Sequence, residues 1–441
     1  MIKADNCFLV SARLSHERQG WKGKKLNRSA KTRFPLVNIK LPIALTFAGL
    51  LSGLLFGIAV SGIGLADIIN SWIEPVGDLW LRALQMTIIP LIAALLVLGT
   101  AQLTAAAKAG AAAKRMLLFI FVVLVLGGVF SAVATPKLLT VFPIPIDPSI
   151  FLEGMPDRLQ QIPSLPDFLT SLFAPNIIAA AAQSAMLPLT VFFLVFALAV
   201  TQLPDAQNQI LLSFFHALAN SMLKIIGWVL SMAPIGVFSL AAAVSIKAGG
   251  GAFTALTHYI LIVSSMGVAV LVGAYLIALI FARVDFYSFV SSALPAQTVA
   301  VSTQSSLASL PAMLDSAERL GIKQSISEFV LPLAVAIFRA TSPAMNFAVV
   351  VYVAYLTGTE ISYATIIAGL GTAFIISIGS VSLPGSISFV VSTGPIALAM
   401  GVPLEPLALL VAVEMLPDIV RTVGNVTMNL AITSAVDRLE R

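Results

Sequence analysis

Long apolar runs are the feature of this sequence that most constrains its fold. A helix needs about 20 apolar residues to cross a bilayer, and runs of that length recur between polar segments. Only 10% of the 441 residues are charged, too few to make a water-facing surface around such helices. The sequence therefore predicts an all-α integral membrane protein. Six spans are plain, near residues 41–66, 79–103, 115–136, 184–203, 221–246 and 256–282.

The first 40 residues are basic, unlike the rest of the chain. They hold ten Lys and Arg against two acidic residues, a net charge of +8, so the remaining residues carry −3. A basic segment can bind nucleic acid, but beside a first apolar run it is typical of a cytoplasmic flank. The run after Lys40 is too long for a secretory signal. We predict a cytoplasmic arm at 1–40, a multi-pass protein of the inner (cytoplasmic) membrane, and no nucleic-acid partner.

Two clusters of Ser, Pro and Gly interrupt apolar stretches in the second half of the chain. They lie at residues 302–311 and 380–388. Non-helical backbone at membrane depth is tolerated only where protein or a watery cavity satisfies its polar groups. Paired interruptions are typical of secondary transporters, in which half-helix ends hold the substrate near the membrane midplane. The clusters therefore predict two re-entrant helical hairpins. The alternative is a pair of exposed loops between short spans.

An arginine interrupts the apolar span at 327–357, between the two clusters. Arg339 stands about 11 apolar residues after the start of that span and roughly 15 before its end. A charge at this depth should face the bundle interior and meet a partner, or mark a functional path. The alternative is a helix end whose arginine reaches the membrane surface.

The last span, about 405–435, carries the densest set of polar residues. On a helix they form one continuous stripe, which cannot face lipid. An ion pair between Asp418 and Arg421 could be structural neutralisation alone. The whole stripe supplies anchors for an anion and a cation with neutral groups between them, and a zwitterion with a further carboxylate would complement it. Its members are Glu414, Asp418, Arg421, Thr422, Asn425 and Asn429.

These residues resemble the dicarboxylate/amino acid:cation symporters, a family that includes glutamate and aspartate transporters. The resemblance covers roughly 41–440. Its most specific parts are the segment at 418–427 and Ser305-Ser306 followed by Leu310-Pro311; Pro384-Gly385, the segment 86–91 and the segment 233–238 support it.

The resemblance implies a fold and a domain organisation. It implies about eight transmembrane helices plus two opposed hairpins, in an elevator-type transporter with a scaffold and a moving transport domain, usually a homotrimer in the lipid bilayer. Residues 41–283 would form helices 1–6, of which helices 3 and 6 belong to the transport domain. Residues 284–441 would form the transport-domain core, with hairpin 1, a broken helix 7, hairpin 2 and helix 8.

The resemblance also implies a substrate site. Arg421 would bind the side-chain carboxylate of the substrate with its planar fork of donors, and Asp418 the ammonium group. The acidic residue at 418 favours an amino acid, so we expect secondary active transport of a small acidic solute, an aspartate- or glutamate-like amino acid or a related dicarboxylate. Further contacts would come from Ser305, Ser306, Ser342, Leu383, Pro384, Gly385, Thr422 and Asn425.

Three departures from the family's pattern concern sodium. The motif Asn-Met-Asp-Gly-Thr falls on residues 338–342, and Asn-Val-Thr-Gly-Asp on residues 425–429, so Ala340 and Asn429 replace two carboxylates. A third cluster of Tyr, Thr and Ser falls on Phe119, Val122 and Val123. Sodium needs several oxygen ligands. We expect that the usual sodium sites are lost, that no metal or other cofactor takes their place, and that protons or exchange replace sodium coupling.

Three residues are candidates for this altered coupling: Arg339, Glu414 and Asn429. Arg339 could supply the positive charge that sodium gives to the space beneath the substrate; the alternative is an ion pair between Arg339 and Glu414. A buried carboxylate can also carry a proton, as Glu414 or Asp418 would.

Other functions find less support in the sequence. His16, His216 and His258 are scattered, and no metal-ligand spacing, nucleophile elbow or P-loop occurs, so we do not expect an enzyme. An ion channel lacks a charge ring or filter-like repeat. A membrane sensor that binds its ligand without transport, or a cystine or C4-dicarboxylate carrier of the same fold, is the alternative.

Overall fold

The structure, a computed structural model, describes residues 42–61, 65–108, 110–145, 170, 172–248, 251–379 and 385–441. All regular structure in these residues is helical, as predicted. The helices are α1 Ile43–Ser61, α2 Ala66–Gln85, α3 Ile88–Ala107, α4 Ala111–Val141, α5 Ile177–Ala182, α6 Met186–Val200, α7 Asp205–Ser231, α8 Ala233–Ala248, α9 Gly251–Ile280, α10 Phe286–Thr303, α11 Leu310–Arg319, α12 Gln324–Ile337, α13 Ser342–Leu356, α14 Tyr363–Gly379, α15 Gly385–Met400, α16 Glu405–Leu410 and α17 Met415–Leu439.

Several helical segments are long and apolar enough to cross a bilayer. The described part of the chain contains five of them, Ala66–Ala107, Ala111–Val141, Asp205–Ser231, Phe253–Ile280 and Gln324–Leu356, together with shorter apolar helices. Large apolar side chains stand exposed along α4 and α9, among them Phe121, Leu126 and Leu261. Surfaces of this kind require lipid rather than water, so the protein is a multi-pass membrane protein.

Three predicted spans have the wrong bounds. The run at 79–103 crosses the break between α2 and α3, and the run at 221–246 joins the end of α7 to α8. The run at 405–435 is divided in the same way into α16 and α17. Hydropathy stays high across these breaks, so apolar length alone does not locate them.

Helices α1 and α8 pack through a row of glycines, which we call the glycine contact: Gly49, Gly53 and Gly57 of α1 against α8. A Cβ added at Gly53 would lie 2.5 Å from the Phe238 carbonyl oxygen, and one at Gly57 would lie 2.5 Å from the Ser245 Cβ. Only a missing side chain allows two backbones this close. The Ser245 hydroxyl also donates to the Leu54 carbonyl oxygen at 2.9 Å.

Helix α2 packs against the other side of α8. The Trp80 ring covers Gly236, where a Cβ would collide with the indole. The Trp80 ring nitrogen donates to the Val229 carbonyl oxygen at 2.9 Å, which ties α2 to the end of α7 as well. Indole N–H groups inside a membrane need such a partner.

The two polar clusters each lie between a pair of packed helices. Helix α10 ends at Thr303, Gln304 takes a left-handed conformation (φ 50°), and α11 begins at Leu310 and packs back against α10. Helices α14 and α15 pack together in the same way, and the segment 380–384 between them lies outside the described residues. Each predicted hairpin thus corresponds to two helices that contact each other.

The most buried part of the protein lies in its second half. Every residue of α13 from Ser342 to Ala354 is buried, and so is every residue of α17 from Gly424 to Asp437. Helix α17 packs against α9, α10 and α12. The end of α17 is also fixed: the Asp437 carboxylate accepts from the Lys323 amide at 3.1 Å and from the Arg441 guanidinium at 2.9 Å. Arg441 donates in turn to the Gly321 carbonyl oxygen at 2.7 Å.

Candidate functional site

The polar stripe of α17 lies inside the protein, as its pattern predicted. None of its members exposes more than 5% of its surface, and Glu414 and Asn429 expose none. Glu414 immediately precedes α17, and its carbonyl oxygen accepts the amide proton of Asp418 at 2.9 Å. Helical spacing therefore carries the stripe from the first turn of α17 to its middle.

Arg421 is the centre of this stripe. Its guanidinium forms an ion pair with the Glu414 carboxylate through Nη2, and its Nε lies 3.4 Å from Asp418 Oδ1. Its Nη1 donates to the amide oxygen of Asn346 in α13. We call Arg421, Glu414, Asp418 and Asn346 the arginine cluster. A buried guanidinium needs such compensation, because an unpaired charge inside a protein is strongly destabilising.

Aromatic side chains lie beside the carboxylate oxygen of Glu414 that does not pair with Arg421. The Tyr259 hydroxyl of α9 donates to Glu414 Oε2 at 3.1 Å. Tyr259 is fully buried, and its ring meets the Tyr352 ring edge to face at a centroid distance of 5.3 Å. The Tyr352 hydroxyl donates to the Ala255 carbonyl oxygen at 2.9 Å and lies 3.2 Å from His258 Nδ1.

The break between α12 and α13 is attached to the same stripe. The amide and the hydroxyl of Thr341 each donate to Asn425 Oδ1 at 3.0 Å, and the hydroxyl lies 3.3 Å from the Arg421 carbonyl oxygen. A Cβ at Gly424 would lie 2.7 Å from the Thr341 methyl group, so glycine permits this close approach. Ser342 is buried at the start of α13.

Arg339 lies inside the protein at this break, with 8% of its surface exposed. The alternative in which it reaches the membrane surface is therefore wrong. Its charge and that of Asp418 attract each other, whereas Glu414 has Arg421 as its cationic partner. Two guanidinium groups, Arg339 and Arg421, and two carboxyl groups, Glu414 and Asp418, are thus buried in this part of the protein.

The remaining predicted residues are less closely joined to Arg421. Ser305 and Ser306 are half-buried in the turn between α10 and α11, where the Ser305 hydroxyl accepts the Ala308 amide proton at 3.2 Å. Gly385 begins α15, and Leu383 and Pro384 lie outside the described residues. Thr422 is buried beside Arg421. Asn429 is buried with neither amide atom bonded to any described group.

Three residues of this site were missed from the sequence: Tyr259, Thr341 and Asn346. Tyr259 and Asn346 stand within long apolar helices, and Thr341 lies beside Ser342 at the break before α13. A signal did exist, because a polar group inside a transmembrane helix usually faces the bundle interior and a partner. Which partner it meets depends on how the helices pack.

Known proteins resemble this chain over nearly its whole length. The Sodium:dicarboxylate symporter family matches residues 43–439. The proton/glutamate-aspartate symporter of Escherichia coli is 26% identical over 83% of this chain and 85% of its own length. The neutral amino acid transporter B(0) of Oryctolagus cuniculus is 28% identical over 88% of this chain and 78% of its own length. The proton/sodium-glutamate symport protein of Bacillus subtilis is 24% identical over 89% of this chain and 91% of its own length.

A match of this extent, on a chain whose helices and buried polar stripe are those expected of a membrane carrier, identifies a transporter and not an enzyme. The chain belongs to the Sodium:dicarboxylate symporter family.

Proposed function

We infer that this protein is a secondary active transporter of an acidic amino acid, such as aspartate or glutamate, or of a related dicarboxylate. The observation that carries this inference is the buried guanidinium of Arg421, set between acidic and amide side chains of α17 and α13. Relatives named as glutamate and aspartate symporters support it. The inner membrane, a cytoplasmic N-terminus and a homotrimer belong to the same proposal.

Arg421 and Asp418 bind opposite ends of the substrate in this proposal. The guanidinium donates two parallel hydrogen bonds to the side-chain carboxylate, for which its planar fork is suited. Asp418 Oδ2 is buried and bonded to no described group, so it is available to accept from an ammonium group. Ser305, Ser306, Ser342, Thr422 and Asn425, with hairpin residues Leu383, Pro384 and Gly385, supply the remaining contacts.

Sodium does not fit the positions that the family uses for it. Ala340 offers no side-chain oxygen, and Arg339 brings a buried cation to the same break. The buried amide of Asn429, whose two polar atoms lack partners among the described groups, offers one neutral oxygen in place of a carboxylate. A hard cation requires several oxygen ligands, preferably charged ones. The proposed transport cycle therefore contains no sodium-binding step, and Arg339 supplies the fixed positive charge instead.

A proton is the coupling ion that the site can accept. Glu414 carries the proton in this proposal, because neutralising its carboxylate removes the anion that pairs with Arg421. Asp418 is the second candidate. The transport domain consists of its core at 284–441 and of helices from 41–283, and in this proposal it carries the bound substrate past the scaffold. The alternative mode of transport is exchange of substrate without net proton movement.

Binding and uptake by purified protein test the proposal. Calorimetry with aspartate, glutamate, succinate, cystine and alanine, each with and without sodium, should show binding of an acidic amino acid that does not require sodium. Arg421→Ala should abolish it, whereas Lys247→Ala, which changes an exposed ion pair with Glu74, should not. Normal binding of acidic ligands by Arg421→Ala would contradict the site assignment.

Uptake into proteoliposomes tests the coupling. A pH gradient, acidic outside the vesicle, should drive aspartate accumulation in the absence of sodium. Uptake that vanishes without sodium would contradict the loss of the sodium sites. If a pH gradient has no effect on uptake while exchange is intact, the proton is not the coupling ion. Binding of substrate without any translocation would identify a sensor.

A further inference from the structure

Arg421 is already bound to a carboxylate of its own chain. One oxygen of Glu414 pairs with the guanidinium, and the other accepts the Tyr259 hydroxyl proton at 3.1 Å. Glu414 is completely buried, so water does not compete for either oxygen. Its two oxygens are therefore held by two different helices, α17 and α9.

A substrate carboxylate would need the same guanidinium. Arg421 uses Nη2 for Glu414, Nη1 for Asn346 and Nε for Asp418, so each of its three nitrogens already faces an oxygen. A guanidinium has five N–H groups, and its strongest bonds to a carboxylate use two of them in parallel. The edge formed by Nε and Nη2 already faces Asp418 and Glu414, so an incoming carboxylate can take both donors of that edge only if one of these two partners withdraws.

We propose that Glu414 is a tethered ligand of Arg421, which competes with the substrate's carboxylate for the guanidinium, and that Tyr259 is the positioning residue that holds it there. This inference rests on the proposed function, since it requires that Arg421 receives the substrate's carboxylate. It assigns Tyr259 a part in specificity, because a tethered carboxylate disfavours any acidic ligand that binds Arg421 weakly.

The surroundings of Tyr259 explain how its hydroxyl is kept in place. Its buried ring packs edge to face on Tyr352, at an interplanar angle of 75°. Tyr352 is fixed at its own hydroxyl by the Ala255 carbonyl oxygen and by His258, whose Nε2 lies 3.1 Å from the Phe142 carbonyl oxygen. The packing of the two rings, and not the Tyr352 hydroxyl itself, therefore limits how far Tyr259 can turn from Glu414.

The competition depends on one proton. A proton from water forms an O–H bond on the Glu414 carboxylate, which ends its ion pair and leaves Arg421 to the substrate; the reverse step returns the proton to water when the substrate leaves. The charged and titratable groups around Glu414 are Arg421 and Asp418 from α17, Tyr259 from α9 and, behind it, Tyr352 from α13. Arg339 is the other buried cation, at the break between α12 and α13.

Calorimetric titration of aspartate into the whole protein, from about pH 5 to about pH 9, tests the proposal. The wild-type Kd should rise with pH, because the charged form of Glu414 competes. Glu414→Gln should remove that rise. Tyr259→Phe, which loses only the hydroxyl, should tighten binding by about threefold to tenfold at the alkaline end and leave the acidic end unchanged.

Tyr352→Phe is the matched control, because it keeps the ring that packs on Tyr259 and removes a hydroxyl that does not reach Glu414. It should retain the wild-type pH profile. The tethered ligand is overturned if Tyr259→Phe and Tyr352→Phe behave alike, or if Tyr259→Phe changes Kd equally at every pH. If Glu414→Gln fails to fold, Tyr259→Phe and its control still decide the question.

Arg421→Ala separates this inference from the proposed function. Loss of aspartate binding in Arg421→Ala, together with a wild-type pH profile in Tyr259→Phe, would overturn the tethered ligand alone. Normal aspartate binding in Arg421→Ala would overturn the substrate site, and the tethered ligand with it.

Discussion

The glycine contact and the arginine cluster are two ways of joining helices inside a membrane. In the glycine contact, three missing side chains let the α1 and α8 backbones touch. In the arginine cluster, charged and polar side chains of α17, α13 and the residue before α17 meet across buried space. The first contact depends on shape, and the second on opposite charge.

The difference indicates where a ligand can act. A small solute cannot replace a backbone-to-backbone contact, since the contact consists of close packing and has no charged group to exchange. A solute with a carboxylate can replace Glu414 on Arg421, because it offers the same bond. Packing by small residues thus suits a fixed frame, and packing by charged residues suits a site that opens and closes.

The largest effect should follow loss of the central cation. Arg421→Met leaves the Glu414 and Asp418 carboxylates buried without it, and we expect a loss of about 3–5 kcal/mol in stability. Thermal unfolding of the detergent-solubilised protein measures it. Adding Glu414→Gln to Arg421→Met should recover part of the loss, since one uncompensated carboxylate disappears. Additive losses would show that the cluster is not joined by charge.

A methyl group in the glycine contact should have the next largest effect. In Gly53→Ala the new Cβ meets the Phe238 carbonyl oxygen and the Ala241 Cβ, so the helices must separate, at about 1–3 kcal/mol. The same melting experiment detects it. Gly371→Ala is the control, because a Cβ there meets no atom within 4 Å. Equal effects of the two changes would contradict a contact determined by shape.

A smaller effect is expected where a hydroxyl attaches the helix break to α17. Thr341→Val removes the bond from the hydroxyl to Asn425 and keeps the one from the amide, so we expect a loss of about 1 kcal/mol. Thr298→Val, which changes an exposed hydroxyl bonded within its own helix, should change the melting temperature little. If the two variants have the same melting temperature, the Thr341 hydroxyl does not stabilise the break between α12 and α13.

The smallest effect should come from an exposed ion pair near the glycine contact. Lys247 Nζ lies 3.3 Å from Glu74 Oε1, and both side chains are partly exposed. Lys247→Ala should lower stability by less than about 1 kcal/mol, and added salt should remove the difference because it screens exposed charges. A loss comparable to that of Arg421→Met would mean that burial does not distinguish the two pairs.

The sequence predicts the polar site better than it predicts the helix ends. The stripe from Glu414 to Asn429 follows from helical spacing, and its burial is confirmed because polar groups at that density cannot face lipid. The breaks between α2 and α3 and between α7 and α8 were missed, since apolar residues continue on both sides of each break.

The partners within the site were harder to predict than its members. That Arg421 meets Asn346, 75 positions away, and that Tyr259 reaches Glu414 across 155 positions depends on helix packing, which a single sequence does not state. The Gly49, Gly53 and Gly57 spacing was equally visible, but glycine in an apolar span indicates a close neighbour without identifying it.

The attachment of Asp437 to the turn between α11 and α12 has a mechanical consequence. Helix α17 has 25 residues, so it is a rod of about 38 Å that has the arginine cluster at one end and this attachment at the other. Two bonds join the far end of the helix to this turn, from the Lys323 amide to the Asp437 carboxylate and from the Arg441 guanidinium to the Gly321 carbonyl oxygen, so sliding of α17 along α12 would break both. A displacement of α11 and this turn would therefore draw the end of α17 with it and, through the helix, the arginine cluster.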